Sequence, residues 1–275
     1  MKSIGRGIHI VIIAICAVVF LVCVGLLVNI LVGYSKAGKT YESINEHFET
    51  LGDITPENGE TDGSEAKGVT VKAEMNEDMR RQYAYLMELK STYPDVVGYI
   101  SIPSVSINYP VVQTIDNDYY LDHLITGEQS SAGSIFLDYR CDANAATAKN
   151  TVLYGHNMNN RSMFHNIELL FTRESFLDAT VEYITEEGIF IYNPLSIYRT
   201  GAYDTFDRYQ FVDEDDYLKY CDSVAAKSRF EESAAVPCAA DSGIITFVTC
   251  TNSISDKNAR YIYQAVLDRI YLPEN

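Results

Sequence analysis

The residue best placed for chemistry in this 275-residue chain is Cys250, which ends the apolar run Ile244-Ile245-Thr246-Phe247-Val248-Thr249 and precedes the polar stretch Thr251-Asn252-Ser253. A thiolate is a strong nucleophile toward a carbonyl carbon, and a strand end holds it rigidly while leaving it open to substrate. Arg260 lies ten residues on and begins the last strand-like run, so a strand–loop–strand hairpin brings it back beside Cys250. Its guanidinium stays charged, so it can hold an oxyanion or a substrate backbone but cannot act as a base. His156 follows another strand-like run, Thr151-Val152-Leu153-Tyr154, and imidazole is the acid–base partner a cysteine nucleophile needs. His123 and His165 fall in loop or helical stretches and read as ordinary surface or half-buried residues. On spacing alone two readings stand open: a catalytic Cys–His pair, and a structural thiol beside a satisfied histidine.

The other cysteines carry no such signal. Cys16 and Cys23 sit inside a long apolar run, Cys221 lies in a helical pattern among apolar neighbours, and Cys141 and Cys238 fall in loops. There is no Cys-x-x-Cys and no paired-His spacing, so neither a zinc site nor a cofactor is expected.

The elements that position these residues are mostly strands. Val97–Ile102, Ile107–Val112, Ser134–Leu137, Thr151–Tyr154, Thr180–Thr185, Ile189–Tyr198, Ile244–Thr249 and Arg260–Ile270 are short runs rich in Val, Ile, Tyr and Phe, mostly separated by turn residues. Helical periodicity occurs from Met79 to Leu89, with Asn76 as N-cap and Glu77 and Asp78 in the first turn, and again over 162–171 and 213–228. Eight strands with few helices predict a closed or nearly closed barrel, which removes exposed edges.

Ahead of the barrel, every residue from Ile10 to Val28 is apolar or Gly, and the run resumes after Asn29. About twenty such residues cross a bilayer core, and the run is too long, with too poor a cleavage site after it, for a removable signal peptide. We expect a cytoplasmic tail at 1–7, a transmembrane signal anchor at 8–33, a flexible extracellular stalk at 34–74 and the catalytic domain at 75–275. On this division the first 74 residues serve location only, and a chain beginning at Met75 is expected to keep the activity. Four of the 21 basic residues precede residue 40 and no acidic residue does, leaving 17 basic against 38 acidic residues beyond it. Phosphate neutralisation needs a cationic surface, so a nucleic-acid partner is excluded.

At this point the chain resembles a known family. Thr246-Phe247-Val248-Thr249-Cys250, with Arg260 downstream and Gly155-His156-Asn157 upstream, is similar to the sortases, membrane-anchored cysteine transpeptidases of Gram-positive bacteria. Asp95-Val96-Val97-Gly98-Tyr99-Ile100, Tyr109-Pro110-Val111-Val112-Gln113, Asp116-Asn117-Asp118-Tyr119-Tyr120-Leu121 and Gly133-Ser134-Ile135-Phe136-Leu137-Asp138-Tyr139-Arg140 look like class B in particular. The resemblance covers about residues 76–275; the pentad departs from the usual Thr-Leu-Ser-Thr-Cys at Phe247 and Val248, the latter removing a hydroxyl beside the nucleophile. It implies an eight-stranded sortase barrel with N-terminal helices and one long helix before the cysteine strand, and a groove with Cys250, His156 and Arg260 at one end. It further implies cleavage of secreted proteins after the Thr of an Asn-Pro-x-Thr-(Asn/Gly) sorting signal and transfer to a peptidoglycan amine. Asn117, Leu121, Tyr154 and Thr249 are implied as substrate-binding, with plain packing or loop capping as the alternative. With no second apolar span and no lid-like segment, peptidoglycan anchoring is expected over pilus assembly.

Two readings from other classes stay open. One is a membrane-anchored cysteine peptidase or amidase that hydrolyses without transfer, although papain-like enzymes run Cys before His and the caspase-type signature is absent. The other is a non-catalytic surface module in which Cys250 is inert.

Overall fold

The computed structural model describes residues 3–52, 54, 71–202, 204–231, 238–253 and 256–274. The apolar run lies in one helix, α1 (Ser3–Glu49), the one helix among the described residues long and apolar enough to cross a membrane. Its large apolar side chains from Ile8 to Val28, and Leu31 and Val32, are exposed, a pattern that suits lipid surroundings.

The helix continues beyond that run. Ala37, Tyr41, Ile44 and Phe48 recur at helical spacing and are buried against the barrel. Phe48 stacks on Tyr99 with ring centroids 3.9 Å apart, and Asn45 Oδ1 accepts the Tyr99 hydroxyl at 2.9 Å. The expected stalk therefore differs at both ends: residues 34–49 are packed helix, and Val71–Glu74 form a strand, β1, paired in parallel with the end of the chain. A narrow apolar stripe among polar residues gives little signal beside the membrane run that precedes it. The Gly- and acid-rich centre of that segment, residues 55–70, lies outside the described residues.

Capped by Asn76, whose side chain accepts the Met79 amide at 2.9 Å, α2 (Glu77–Thr92) lays Met79, Leu86 and Leu89 into the core. The strands follow the sequence expectation within a few residues: β2 (Val96–Ile102), β3 (Ile107–Val112), β4 (Ile135–Leu137), β5 (Asn150–Tyr154), β6 (Val181–Thr185), β7 (Gly188–Gly201), β8 (Ile244–Cys250) and β9 (Ala259–Leu272). Their order is β9-β7-β6-β2-β3-β4-β5-β8, and β8 pairs back onto β9, closing an eight-stranded mixed barrel with β1 as an added strand. Closure leaves no barrel edge free. Tyr99, Tyr183, Tyr192, Tyr263, Phe190 and Phe247 fill the core.

The helix expected over 162–171 is instead a 3-10 segment, His165–Phe171, followed by a short helix α3 (Arg173–Leu177). Arg161 and Met163, at φ 66° and 60°, bend the chain out of right-handed helix just before it. The last helix, α4 (Glu214–Ala226), is capped by Asp213 and carries three acids in its first turn. Its buried face, Tyr217, Tyr220, Cys221 and Val224, packs on Leu195, Ile244 and Val266 outside the barrel.

Candidate active site

The hairpin of β8 and β9 pairs Cys250 directly with Arg260. Residues opposite each other in an antiparallel pair lie on the same face, so thiol and guanidinium share one side of the sheet. Cys250 is exposed at the strand end. Arg260 Nη1 donates to the carbonyls of Ala259 at 3.0 Å and Lys257 at 3.2 Å, which fixes the guanidinium plane, and no carboxylate pairs with it among the described residues. The other neighbour of β8 is β5, whose parallel register sets Tyr154 beside Val248. The chain leaving β5 therefore emerges next to the chain leaving β8, and His156 arrives beside Cys250 without any sequence proximity.

His156 Nε2 lies 2.7 Å from the Leu121 carbonyl oxygen. A carbonyl has no hydrogen to give, so Nε2 carries the proton and Nδ1 is the nitrogen left to exchange protons. The group that orients the imidazole is thus a backbone oxygen, which no side-chain motif announces.

Asn157, next in sequence, is a buried clamp. Its amide nitrogen donates to the Cys250 carbonyl at 2.9 Å and to Glu168 Oε1 at 2.7 Å, while its oxygen accepts from His165 Nδ1 at 2.7 Å and Asn252 Nδ2 at 3.0 Å. Thr249 donates its hydroxyl to the Gly155 carbonyl at 2.7 Å, so the two chain ends are tied from both sides. Gly155 has no room for a side chain: an added Cβ would meet the Ile135 methyl and come within 2.7 Å of the Phe164 ring. Since about 1 Å of misplacement can cost a hundredfold in rate, Gly155→Ala is expected to cut peptide turnover at least about tenfold. Steady-state kinetics beside a thermal melt will separate this displacement of His156 from general unfolding.

A groove of about 320 Å³ runs from these residues. All seven residues expected at the site line it: Cys250, His156, Arg260, Asn117, Leu121, Tyr154 and Thr249. Leu121 offers an exposed side chain, and the Asn117 side-chain oxygen accepts the Tyr139 amide at 3.0 Å. Gly155, Phe136, Ala202, Phe206, Asp207 and Val248 complete the lining. Of these, Phe206 and Asp207 come from a short turn between β7 and α4 that has no periodicity to read.

One wall is held by a charged network. Arg140 binds the fully buried Asp138 through Nε at 2.9 Å and Nη2 at 2.7 Å, and reaches Asp207 at 3.0 Å. Tyr154 donates to Asp138 Oδ2 at 3.2 Å. Burial pushes the Asp138 carboxyl up, but the Arg140 hydrogen bonds outweigh it and hold the group below the ordinary carboxylate range. Burial and then the Asp138 charge push the Tyr154 phenol up, so it remains a neutral donor. Burial likewise pushes the Cys141 thiol up to about 12, leaving it protonated and inert at neutral pH. Among the described residues no three His, Cys, Asp or Glu side chains gather as metal ligands.

The chain is similar to known proteins over most of its length. The protein-family model of the sortase domain matches residues 100–268. Sortase B of Listeria monocytogenes is 30% identical over 241 residues, covering 86% of this chain and 90% of that protein. The structure is similar to a mutant form of Clostridium perfringens sortase B, with a TM-score of 0.63 and 30% identity over 70% of this chain and 90% of the other. It also shares its fold with the Staphylococcus aureus sortase B–substrate complex, with a TM-score of 0.67 and 24% identity over 85% and 96% of the two chains.

Proposed function

This chain belongs to the sortase family, among its class B members, and is a cysteine transpeptidase; we propose that it cleaves secreted proteins after the Thr of an Asn-Pro-x-Thr-type sorting signal and transfers them to an amine of peptidoglycan. The α1 helix is the membrane anchor in this reading, with the barrel on the outer side where that acceptor lies. The observation that carries the proposal is one groove lined by Cys250, His156 and Arg260, with His156 Nε2 held by the Leu121 carbonyl.

The roles follow from the chemistry of each group. With the Cys250 thiol proton carried on His156 Nδ1, making the ring an imidazolium, the thiolate attacks the Thr carbonyl carbon, and the resulting oxyanion is met by the anchored Arg260 guanidinium. As the C–N bond breaks, His156 Nδ1–H gives its proton to the departing nitrogen, leaving a thioester on Cys250. The acceptor amine then attacks that thioester and loses a proton to Nδ1, and the C–S bond breaks to release the Cys250 thiolate. The apolar groove residues Leu121, Phe136 and Val248 and the fixed polar groups of Asn117 and Tyr154 receive the signal peptide.

The test is product analysis by mass. The full chain in detergent, given an Asn-Pro-x-Thr-Asn peptide and a peptidoglycan-type amine such as oligoglycine, is expected to yield a new amide between the Thr carboxyl and the amine. Hydrolysed peptide alone at saturating amine would make the enzyme a peptidase and overturn the transfer reading.

A further inference from the structure

We infer that Tyr41, on the part of α1 that follows the apolar run, is a positioning residue for His156, acting through Ser134 and the Leu121 carbonyl. The inference rests on the proton-transfer role given to His156 above. The His156 ring is oriented by the Leu121 oxygen at 2.7 Å, so its placement depends on what holds that oxygen. Leu121 ends a single 3-10 turn, Tyr119–Leu121, and the chain from there to β4 has no regular secondary structure. Ser134 grips it on both sides: its amide donates to the Tyr120 carbonyl at 3.0 Å and its hydroxyl to the His123 carbonyl at 2.9 Å. Gly133, at φ +58°, lies so close that an added Cβ would sit 2.5 Å from the Tyr120 oxygen and 2.7 Å from the Leu121 oxygen.

Tyr41 is what anchors this pair of residues. Its hydroxyl lies 2.8 Å from Ser134 Oγ and 3.0 Å from the Gly133 carbonyl, and its ring stands edge-on to Tyr109 at 5.5 Å. The side chain is buried, so water cannot replace these bonds. Two further contacts tie the same loop to the same helix: Ser130 Oγ donates to the Gly33 carbonyl at 3.3 Å, and Lys36 pairs with Glu128 at 3.2 Å. The exposed ion pair adds little by itself, but Tyr41 is buried and bonded twice. Gly33 to Tyr41 is about two helical turns, roughly 12 Å at 1.5 Å per residue. The helix that enters the membrane therefore also sets the imidazole, with no flexible joint between them.

The test uses the full chain in detergent micelles. Tyr41→Phe keeps the ring and its packing and removes only the hydroxyl. Its kcat for peptide cleavage is expected to fall about tenfold with KM changed less than about twofold, since misplacement of an acid–base group slows chemistry more than binding. The ring ¹⁵N resonances of His156 are expected to show a fixed Nε2–H form in the parent and a mixture of tautomers in the variant. Ser134→Ala removes the same bond from the other side together with the one to the His123 carbonyl, and should show both effects at least as strongly; Tyr41→Leu serves if Tyr41→Phe fails to fold. Parent-like kcat and parent-like ring resonances in Tyr41→Phe would overturn the inference, whatever Ser134→Ala shows. His156→Gln is the separate control: if it retains full turnover, the role given to His156 fails, while the ring resonances still decide whether Tyr41 positions it.

Discussion

Cys250→Ala is expected to abolish peptide cleavage and thioester formation, while Cys141→Ala, Cys221→Ala and Cys238→Ala each retain activity. The thiol of Cys250 is exposed at the end of β8, opposite a guanidinium and beside the histidine that emerges from β5. No other cysteine has that setting. Cys141 is buried, donates to the Asn150 carbonyl at 3.4 Å and is held protonated by its burial. Cys221 is buried under α4, and Cys238 packs against the same apolar cluster on the outside of the barrel. Removing Cys221 costs the stability of a small cavity, about 1 kcal/mol, and leaves the groove untouched. Two measurements check this: intact mass after incubation with peptide, and the site of modification by an alkylating agent at pH 7. Full activity in Cys250→Ala would sink the mechanism, and loss of activity in Cys141→Ala without loss of folding would reassign the nucleophile.

A chain beginning at Met75 is expected to fold poorly and lose most of its activity, whereas one beginning at Tyr34 keeps both. This reverses what the sequence alone suggests. Tyr41, Ile44 and Phe48 are each at most 7% exposed, and fully burying one large apolar side chain contributes about 1.5–3 kcal/mol. Three of them supply roughly 5–9 kcal/mol, within the 5–15 kcal/mol that separates a typical folded domain from its unfolded state. The cut also strips β1 from β9, leaves the Tyr99 hydroxyl without Asn45, and frees Gly133 and Ser134 from Tyr41. Thermal melts and peptide turnover of the two truncated chains, made in parallel, give the comparison. Equal melting temperatures and equal rates would show that residues 34–74 are dispensable.

Much of this protein is legible in its residues one after another. Val, Ile, Tyr and Phe runs of four to eleven residues mark the strands because β structure is set by local preference and alternate burial. Asn76 and Asp213 mark two helix starts because a cap is a bond between near neighbours. Even the Cys250–Arg260 pair was within reach, since a hairpin returns the chain on itself over ten residues. The apolar run from Ile10 announces itself by length alone.

What the tertiary structure alone decided has a different physical origin. His156 meets Cys250 because β5 and β8 pair in parallel although about ninety residues separate them, and a pairing of that kind follows from barrel closure, not from any local pattern. The Leu121 oxygen that orients His156 belongs to the backbone, which is the same in every residue and so leaves no mark in a sequence. Residues 34–49 look like a tether because their four buried side chains are outnumbered by polar ones. Only the barrel surface they fit tells the docked helix from the stalk, because burial is a property of two surfaces and the sequence of one of them does not contain the other.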